Sequence, residues 1–131
     1  MIVSDTNLIA YLYLPGKFSA AAEDLLLRDS EWAVPRLWRS EFRNILATYM
    51  RQDLLTFDDA VSIYGRAEAL VGGNEYDVSA SAVLRLAKAS GCSAYDCEFV
   101  TLAQHLEVQL ISADAKLCKA FPDCAVVLSE A

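Results

Sequence analysis

The sequence predicts a three-layer α/β fold, with a central parallel sheet of four to five short strands flanked by helices. Short apolar runs alternate along the chain with longer stretches of helical periodicity, an order typical of parallel sheets that are covered on both faces. The length of 131 residues suits one domain, and 55% apolar with 22% charged residues is the composition of a globular protein. We therefore expect a single domain over residues 1–131.

The first half of the chain alternates strands with helices. Pro15 and Gly16 interrupt the helical pattern after the first helix, Pro35 closes the second strand, and Thr56 is a favourable N-cap for the helix that follows. The elements predicted on this pattern are a strand over residues 1–3, helices over 7–13 and 18–28, a strand over 32–34, and helices over 36–52 and 57–71.

The second half continues the alternation. Gly72 and Gly73 turn the chain, but neither P-loop spacing nor a G-x-G-x-x-G pattern surrounds them, so they do not predict a phosphate loop. Gly91 is a suitable C-terminal stop for a helix. The elements predicted here are a short strand over 75–78, helices over 79–90 and 94–106, a strand over 108–111, a short helix over 115–120 and an edge strand over 125–128.

Two aspartates follow predicted strands directly. Asp5 stands between the first strand and the first helix, while Ser112 and Asp114 follow the strand over 108–111. Open α/β sheets bind ligands at the carboxyl ends of their strands, so both aspartates can face one crevice if the two strands are neighbours. Asp is also a good helix N-cap, and a purely structural role is the alternative for each.

Glu41 lies at the edge of an apolar helix stripe. Trp38, Phe42 and Ile45 belong to that stripe, and the arginines of the same helix cluster on another face. A carboxylate at the edge of a core, without a cation beside it, is costly to ionise, and a bound cation would compensate. The alternative is that Glu41 extends to water.

Asp96 occupies the first turn of the helix over 94–106. It shares a face with Val100 and Ala103, so it stands over an inward-pointing stripe. The helix dipole also favours a negative charge in a first turn, which is the structural alternative. Glu98 falls on a different side of the helix, and we expect it to be solvated.

Four acids, Asp5, Glu41, Asp96 and Asp114, thus form a candidate cluster of oxygen ligands. Carboxylates without His or Cys are the ligands that Mg²⁺ and Mn²⁺ prefer. The net charge of −7 argues against a protein that binds nucleic acid through a basic surface. Two divalent ions would, however, carry four positive charges and bring the balance from −7 to −3, so the acidic composition does not exclude a nuclease.

Other kinds of chemistry have less support. The four cysteines lie between Cys92 and Cys124 without the spacing of a zinc site, and we expect reduced thiols. His105 is the single histidine and is expected at the surface, so triad catalysis is poorly supported. No apolar run approaches the ~20 residues of a membrane span, and no secretory leader follows Met1. These features predict a soluble, cytoplasmic protein.

Four stretches of the chain stand out in their order and spacing: SDTNLIAYL, SEFRNIL, AYDCEFVTLA and LISADAKL. Over nearly the whole chain they resemble the PIN-domain family, especially its VapC-like ribonuclease toxins. The resemblance implies that the four acids bind Mg²⁺ or Mn²⁺ at the carboxyl edge of the sheet. It also implies supporting roles for Asn7, a small polar residue after the first aspartate, and for Ser112, where the family more often has Thr.

The activity that the resemblance implies is metal-dependent endoribonuclease cleavage, by hydrolysis of RNA phosphodiester bonds. One ion, held by Asp5 and Asp96 with help from Asp114, would activate a water, and a second ion nearer Glu41 could steady the leaving oxygen. The implied setting is a toxin–antitoxin pair, with RNA as substrate, a cognate antitoxin as partner and a small homodimer as the assembly.

The sequence does not determine which residues bind RNA, and the candidates are Arg36, Arg39, Arg43 and Lys116. Two other functions also stay open. A catalytically silent PIN-like module would keep the fold and act only through its protein partner. An aspartyl phosphatase or phosphotransfer domain would use Asp5 as a nucleophile, but such enzymes usually carry a second Asp two residues on, where this chain has Asn7.

Overall fold

The computed structural model describes residues 1–131 and contains five strands and seven α-helices. No helix combines the length and the apolar character that crossing a membrane requires. Numbered along the chain, the elements are β1 (Ile2–Ser4), α1 (Thr6–Tyr13), α2 (Ser19–Arg28), β2 (Trp32–Pro35), α3 (Leu37–Arg51), α4 (Phe57–Val71), a 3₁₀ turn (Gly72–Asn74), β3 (Glu75–Tyr76), α5 (Ala80–Ser90), α6 (Ala94–Leu106), β4 (Leu110–Ser112), α7 (Ala115–Ala120), β5 (Ala125–Val127) and a final 3₁₀ turn (Leu128–Glu130).

All five strands run parallel in one sheet, in the order β3-β2-β1-β4-β5. The chain builds the sheet outward from β1 to β3 and then crosses back to add β4 and β5 on the other side of β1. The carboxyl ends of β1 and β4 therefore lie where the strand order reverses, which is the place where open α/β sheets bind ligands. The predicted α/β fold, with a parallel sheet flanked by helices, is confirmed.

Two apolar cores hold the helices on the sheet. One packs α1, α2, α3 and α4 against one face and contains the fully buried side chains of Trp32, Trp38 and Phe42. The other packs α6 and α7 against the opposite face, around Val100 and Leu110. Burial of each large apolar side chain contributes about 1.5–3 kcal/mol. The cores therefore fix α3 and α6, which carry two of the acids, and α1 and α7, which the other two acids cap, at the same edge of the sheet.

Several helix ends follow the predicted signals. Thr56 forms a reciprocal capping box with Asp59, through two hydrogen bonds of 3.0 and 3.1 Å. Gly91 ends α5 with a φ of 73°, a left-handed conformation that glycine adopts without strain. The predicted start of β4 at residue 108 is wrong by two residues. The Val108 N–H instead donates to the Ala103 carbonyl at 3.0 Å and closes α6.

An arginine-centred network joins α3 to β3 and α4. The Arg39 guanidinium donates to both carboxylate oxygens of Glu75, at 2.6 and 2.7 Å, and also to Glu68. Trp38 donates its indole N–H to Glu75 at 2.7 Å. The bonds from Arg39 hold the pKa of the Glu75 carboxyl below its usual range. The guanidinium of Arg39, one of the proposed RNA contacts, is therefore already paired with acids of two other elements.

Candidate metal centre

The four predicted acids line one polar pocket of about 240 Å³ at the carboxyl edge of the sheet. They come from four different places in the chain: the β1–α1 junction, α3, α6 and the β4–α7 junction. The pocket is lined by Asp5, Glu41, Asp96 and Asp114, by the polar residues Thr6, Asn7 and Asn44, and by the apolar residues Ile45, Phe99 and Leu117. Folding thus brings together acids that are far apart in the sequence.

Asp5 combines a capping role with a place in the pocket. Its Oδ1 accepts the backbone N–H of Asn7 at 2.8 Å, which caps α1. Its Oδ2 accepts the Ser112 hydroxyl at 2.5 Å, a length typical of a hydroxyl bound to a charged carboxylate. Burial raises the pKa of Asp5 although both hydrogen bonds favour the ionised form, and the charges of Asp96 and Asp114 raise it further.

Ser112 connects the two aspartates that follow β1 and β4. Its hydroxyl is buried at the end of β4, donates to Asp5 and accepts the backbone N–H of Asp114 at 3.0 Å. Asp114 in turn caps α7, because its Oδ1 accepts the N–H groups of Lys116 and Leu117 at 3.0 and 3.2 Å. The capping alternative is therefore correct for both aspartates, and both also line the pocket.

Glu41 reaches the pocket from α3 and has a single hydrogen-bond donor. The buried Thr6 hydroxyl donates to its Oε1 at 2.7 Å, and no Lys or Arg pairs with it. Burial raises the pKa of the Glu41 carboxyl, and the charges of Asp5 and Asp96 raise it further. Glu41 thus lies half-buried at the edge of the core without a cation beside it, where the sequence placed it.

Asp96 stands in the first turn of α6, as predicted. The Ser93 side chain caps the helix by accepting the Asp96 N–H at 3.0 Å. Burial raises the pKa of Asp96, and repulsion from Asp114 raises it further. The prediction that Glu98 is solvated is wrong, because α6 is buried around most of its circumference. Glu98 is half-buried, burial raises its pKa, and its charge adds to the repulsion at Glu41.

The donor set suits a hard divalent cation. None of the four acids takes part in a salt bridge, and the pKa values of Asp5, Glu41 and Asp96 are raised, chiefly by burial. No three His, Cys, Asp or Glu side chains are gathered tightly enough to hold an ion by themselves. Mg²⁺ tolerates such an arrangement, since one or two carboxylates commonly bind it and waters complete its shell. A cation in the pocket would also offset the repulsion between the carboxylates.

Comparison with known proteins identifies the family. The family model of the PIN domain matches residues 2–121. The chain belongs to the PIN-domain family. Among curated proteins, the ribonuclease VapC3 of Pyrobaculum aerophilum is 27% identical to this PIN domain over 134 residues, which cover 92% of this chain and 95% of the relative.

Solved structures share the fold of this PIN domain. FitAcB from Neisseria gonorrhoeae matches it with a TM-score of 0.76 at 17% sequence identity, over 98% of this chain and 99% of the other. A toxin–antitoxin complex from Klebsiella pneumoniae matches with a TM-score of 0.72 at 17% identity, over 100% of both chains. At such identities the likeness establishes the fold, and an activity has to be argued from the site.

Two polar residues that line the pocket of this PIN domain, Thr6 and Asn44, were not among the predicted site residues, and a third nearby, Glu98, was expected in solvent. Thr6 follows the first aspartate, and its hydroxyl reaches Glu41. Asn44 lies one helical turn after Glu41 and lines the same pocket, which the i, i+3 spacing could have revealed. Glu98 was placed in solvent. Only the packing of the other elements around these three shows that they lie at or near the acids.

Among the cations proposed from the sequence as RNA contacts, Lys116 lines a cavity together with two of the predicted acids, Asp96 and Asp114. Arg36 pairs with Asp77 at 2.9 Å, away from the pocket. Arg43 lines a separate, mostly apolar groove between α3 and α4. Lys116 is exposed, follows Asp114 by two residues and forms no salt bridge.

The cysteines and the histidine stay outside the site. All four cysteines are free of disulfide bonds, and Cys97 and Cys118 are buried, in agreement with the expected thiols. His105 is exposed, as predicted. None of these side chains lines the acidic pocket, so neither thiol nor imidazole chemistry competes with the carboxylates there.

Proposed function

We propose that this PIN domain is a metal-dependent endoribonuclease that hydrolyses phosphodiester bonds of RNA. The observation that carries the proposal is the pocket at the strand reversal, lined by four carboxylates that no Lys or Arg neutralises. A curated relative that spans nearly the same length is named a ribonuclease, which supports RNA as the substrate. The raised pKa values in the pocket support a cation as the missing counter-charge.

Mg²⁺ or Mn²⁺ is the proposed cofactor. Asp5 and Asp96, with help from Asp114, would hold one ion, and Glu41 would serve a second ion in a two-metal version of the site. When bound, such ions lower the pKa of a water and stabilise charge on the phosphate oxygens. Carboxylate oxygens are the ligands that these cations prefer, and all four acids line the pocket with no competing sulfur or imidazole donor.

The neighbouring polar side chains prepare the carboxylates for this role. Ser112 donates to one oxygen of Asp5 and holds the backbone of Asp114, so it sets the two aspartates relative to each other. Thr6 orients Glu41 by donating to its Oε1. The bonds from Ser112 to Asp5 and from Thr6 to Glu41 favour the ionised carboxylates, which are the forms that bind metal. Asn7 holds Asp5 through its backbone N–H.

We further propose that the protein is the toxin of a toxin–antitoxin pair and forms a homodimer. One of the solved structures with this fold is a toxin–antitoxin complex, which supports an antitoxin as a partner. Exposed apolar side chains near the start of α4, those of Leu54, Phe57 and Val61, supply surface that contact with a partner or a second copy would bury.

The test is cleavage of a mixed set of structured RNAs by the purified, partner-free protein, with Mg²⁺, with Mn²⁺ and with EDTA. The proposal predicts metal-dependent cutting that Asp5→Asn abolishes. Asp24→Asn is the matched control, because it removes the same charge from an exposed position on α2 that does not line the pocket. Cutting that persists in EDTA or in Asp5→Asn would overturn the proposed mechanism.

Two results would favour the other functions. Metal binding that Asp5→Asn abolishes, combined with no cleavage of any RNA and with binding of an antitoxin-like peptide, would favour the silent interaction module. Formation of an acyl-phosphate on Asp5 would favour the phosphatase. The phosphatase has less support, because the position of its general acid is occupied by Asn7, which has no carboxyl group.

A further inference from the structure

We propose that Lys116 binds a backbone phosphate of the RNA strand, in a second cavity that continues the acid-lined pocket. The inference rests on the proposed ribonuclease function and adds to it a strand-binding site on one particular side of the acids. It also answers a question that the charge of the chain raises, namely which cation meets the substrate.

The second cavity shares part of its lining with the pocket. It has a volume of about 380 Å³, and Asp96 and Asp114 line both spaces. Ser90, Ser93 and Lys116 are the other polar side chains along it. Because the same two carboxylates bound both spaces, a strand with one phosphate at the acids can continue into the second cavity without leaving the surface.

Lys116 is the one cationic side chain that lines either space. Its backbone N–H donates to Asp114 Oδ1 at 3.0 Å, so its main chain is held against an acid of the site. Its ammonium nevertheless forms no salt bridge, either with that acid or with any other. The backbone of Lys116 is thus held at the site, while its exposed and unpaired ammonium is free to meet an anion.

Electrostatics favours this use of the ammonium. The chain carries a net charge of −7, and its acids concentrate negative potential where the substrate has to bind. A phosphate beyond the reach of the bound metal would be repelled there unless a cation stood close by. Of the other proposed RNA contacts, Arg36 and Arg39 already pair with acids, and Arg43 faces a different groove.

The experiment measures binding of a fluorescent single-stranded RNA to Asp5→Asn protein in Mg²⁺, over a series of KCl concentrations. The background substitution prevents cleavage during the titration. Loss of one phosphate contact reduces the slope of log K against log salt by about 0.7 for a single strand. At about 0.1 M salt, a slope reduced by that amount corresponds to an affinity for RNA about fivefold weaker than that of the parent protein. We expect both changes when Lys116→Gln is added to this background, and we expect Lys116→Arg to keep the slope and affinity of the Asp5→Asn parent.

Lys119→Gln is the matched control. It removes the same charge from an exposed position one turn further along α7, and Lys119 lines neither of the two cavities. It should leave affinity and slope unchanged. The inference is overturned if Lys116→Gln binds RNA like its parent, if Lys119→Gln causes an equal loss, or if no variant binds RNA. In those cases the ammonium is an ordinary solvated charge.

Cleavage assays with Asp5 intact separate this inference from the proposed function. Lys116→Gln should raise KM with a much smaller effect on kcat, because its target is a phosphate away from the one that reacts. If wild-type protein cleaves and Lys116→Gln matches it in KM, the phosphate contact fails and the ribonuclease stands. If the protein never cleaves but Lys116→Gln shows the predicted change in salt slope, the ribonuclease fails and the contact stands.

Discussion

Substitution of Ser112 by alanine tests whether the site is organised through one buried hydroxyl. The hydroxyl donates to Asp5 at 2.5 Å and accepts from the backbone of Asp114 at 3.0 Å. A hydrogen bond to a charged group contributes about 1.5–3 kcal/mol. Ser112→Ala should therefore lower the free energy of unfolding of the metal-free protein by about 2 kcal/mol at about pH 8. Urea denaturation, followed by circular dichroism, measures the loss.

The pH dependence of that loss distinguishes a charged partner from a neutral one. Burial already raises the pKa of Asp5, and without the Ser112 donor the pKa should rise further. A raised pKa means that the folded protein favours protonated Asp5. Ionised Asp5 therefore lowers the free energy of unfolding at high pH, and this loss disappears as the pH falls through the folded pKa. The difference between Ser112→Ala and wild type should therefore shrink as the pH is lowered from about 8 through the folded pKa of Asp5.

Ser4→Ala is the control for loss of a buried serine. Ser4 is also fully buried, at the end of the neighbouring strand, but its hydroxyl donates to the backbone carbonyl of Asp5 at 2.9 Å. Ser4→Ala should lower the free energy of unfolding by about 1 kcal/mol, with little change across the same pH range. Equal, pH-independent losses for the two variants would refute the reasoning that Ser112 acts on an ionised Asp5. Ser112→Thr, which keeps the hydroxyl, should retain most of the pH dependence.

Three further outcomes follow from particular contacts. Asp96→Asn should raise the melting temperature of the metal-free protein at neutral pH, since it removes a half-buried charge whose pKa is raised chiefly by burial. Thermal unfolding with and without Mg²⁺ should show this gain and a smaller shift on adding the ion than in wild type. Arg39→Lys should lower the free energy of unfolding in urea by about 2 kcal/mol, because an ammonium cannot reproduce the two bonds to the buried Glu75 carboxylate. An unchanged midpoint of urea unfolding would contradict this. Gly91→Ala should lower the free energy of unfolding by about 1 kcal/mol, because a Cβ is strained at a φ of 73°. Gly73→Ala, where φ is not positive, should cause no such loss.

Positions near the ends of strands could be predicted because they depend on local signals. A short apolar run followed directly by helical periodicity places Asp5 and Asp114 after their strands, whichever strands are neighbours. The position of Asp96 could be predicted in the same way, because it lies in the first turn of a helix. Glu41 could be placed at the edge of a core because 3.6-residue periodicity determines the face of an isolated helix. For these four residues the local position was correct.

Contacts between elements could not be predicted. The hydroxyl of Thr6 meets Glu41 because α1 and α3 pack on the same face of the sheet, which no local pattern of either helix specifies. The prediction for Glu98 failed because its exposure depends on neighbours that cover α6. The sequence could not show that Arg39 is paired, because the acid that binds it, Glu75, lies on a different element, β3.

By itself, the sequence of this protein determined the order of its strands and helices along the chain, the parallel sense of its sheet and the local position of its four acids. Hydrophobic periodicity, caps and breakers act over a few residues, and the chain displays them directly. Only the tertiary structure decided that β4 lies beside β1, that Ser112 joins two aspartates, and that Lys116 stands unpaired beside them. Those features depend on how the cores pack on both faces of the sheet, and such packing energy is a property of all the elements together.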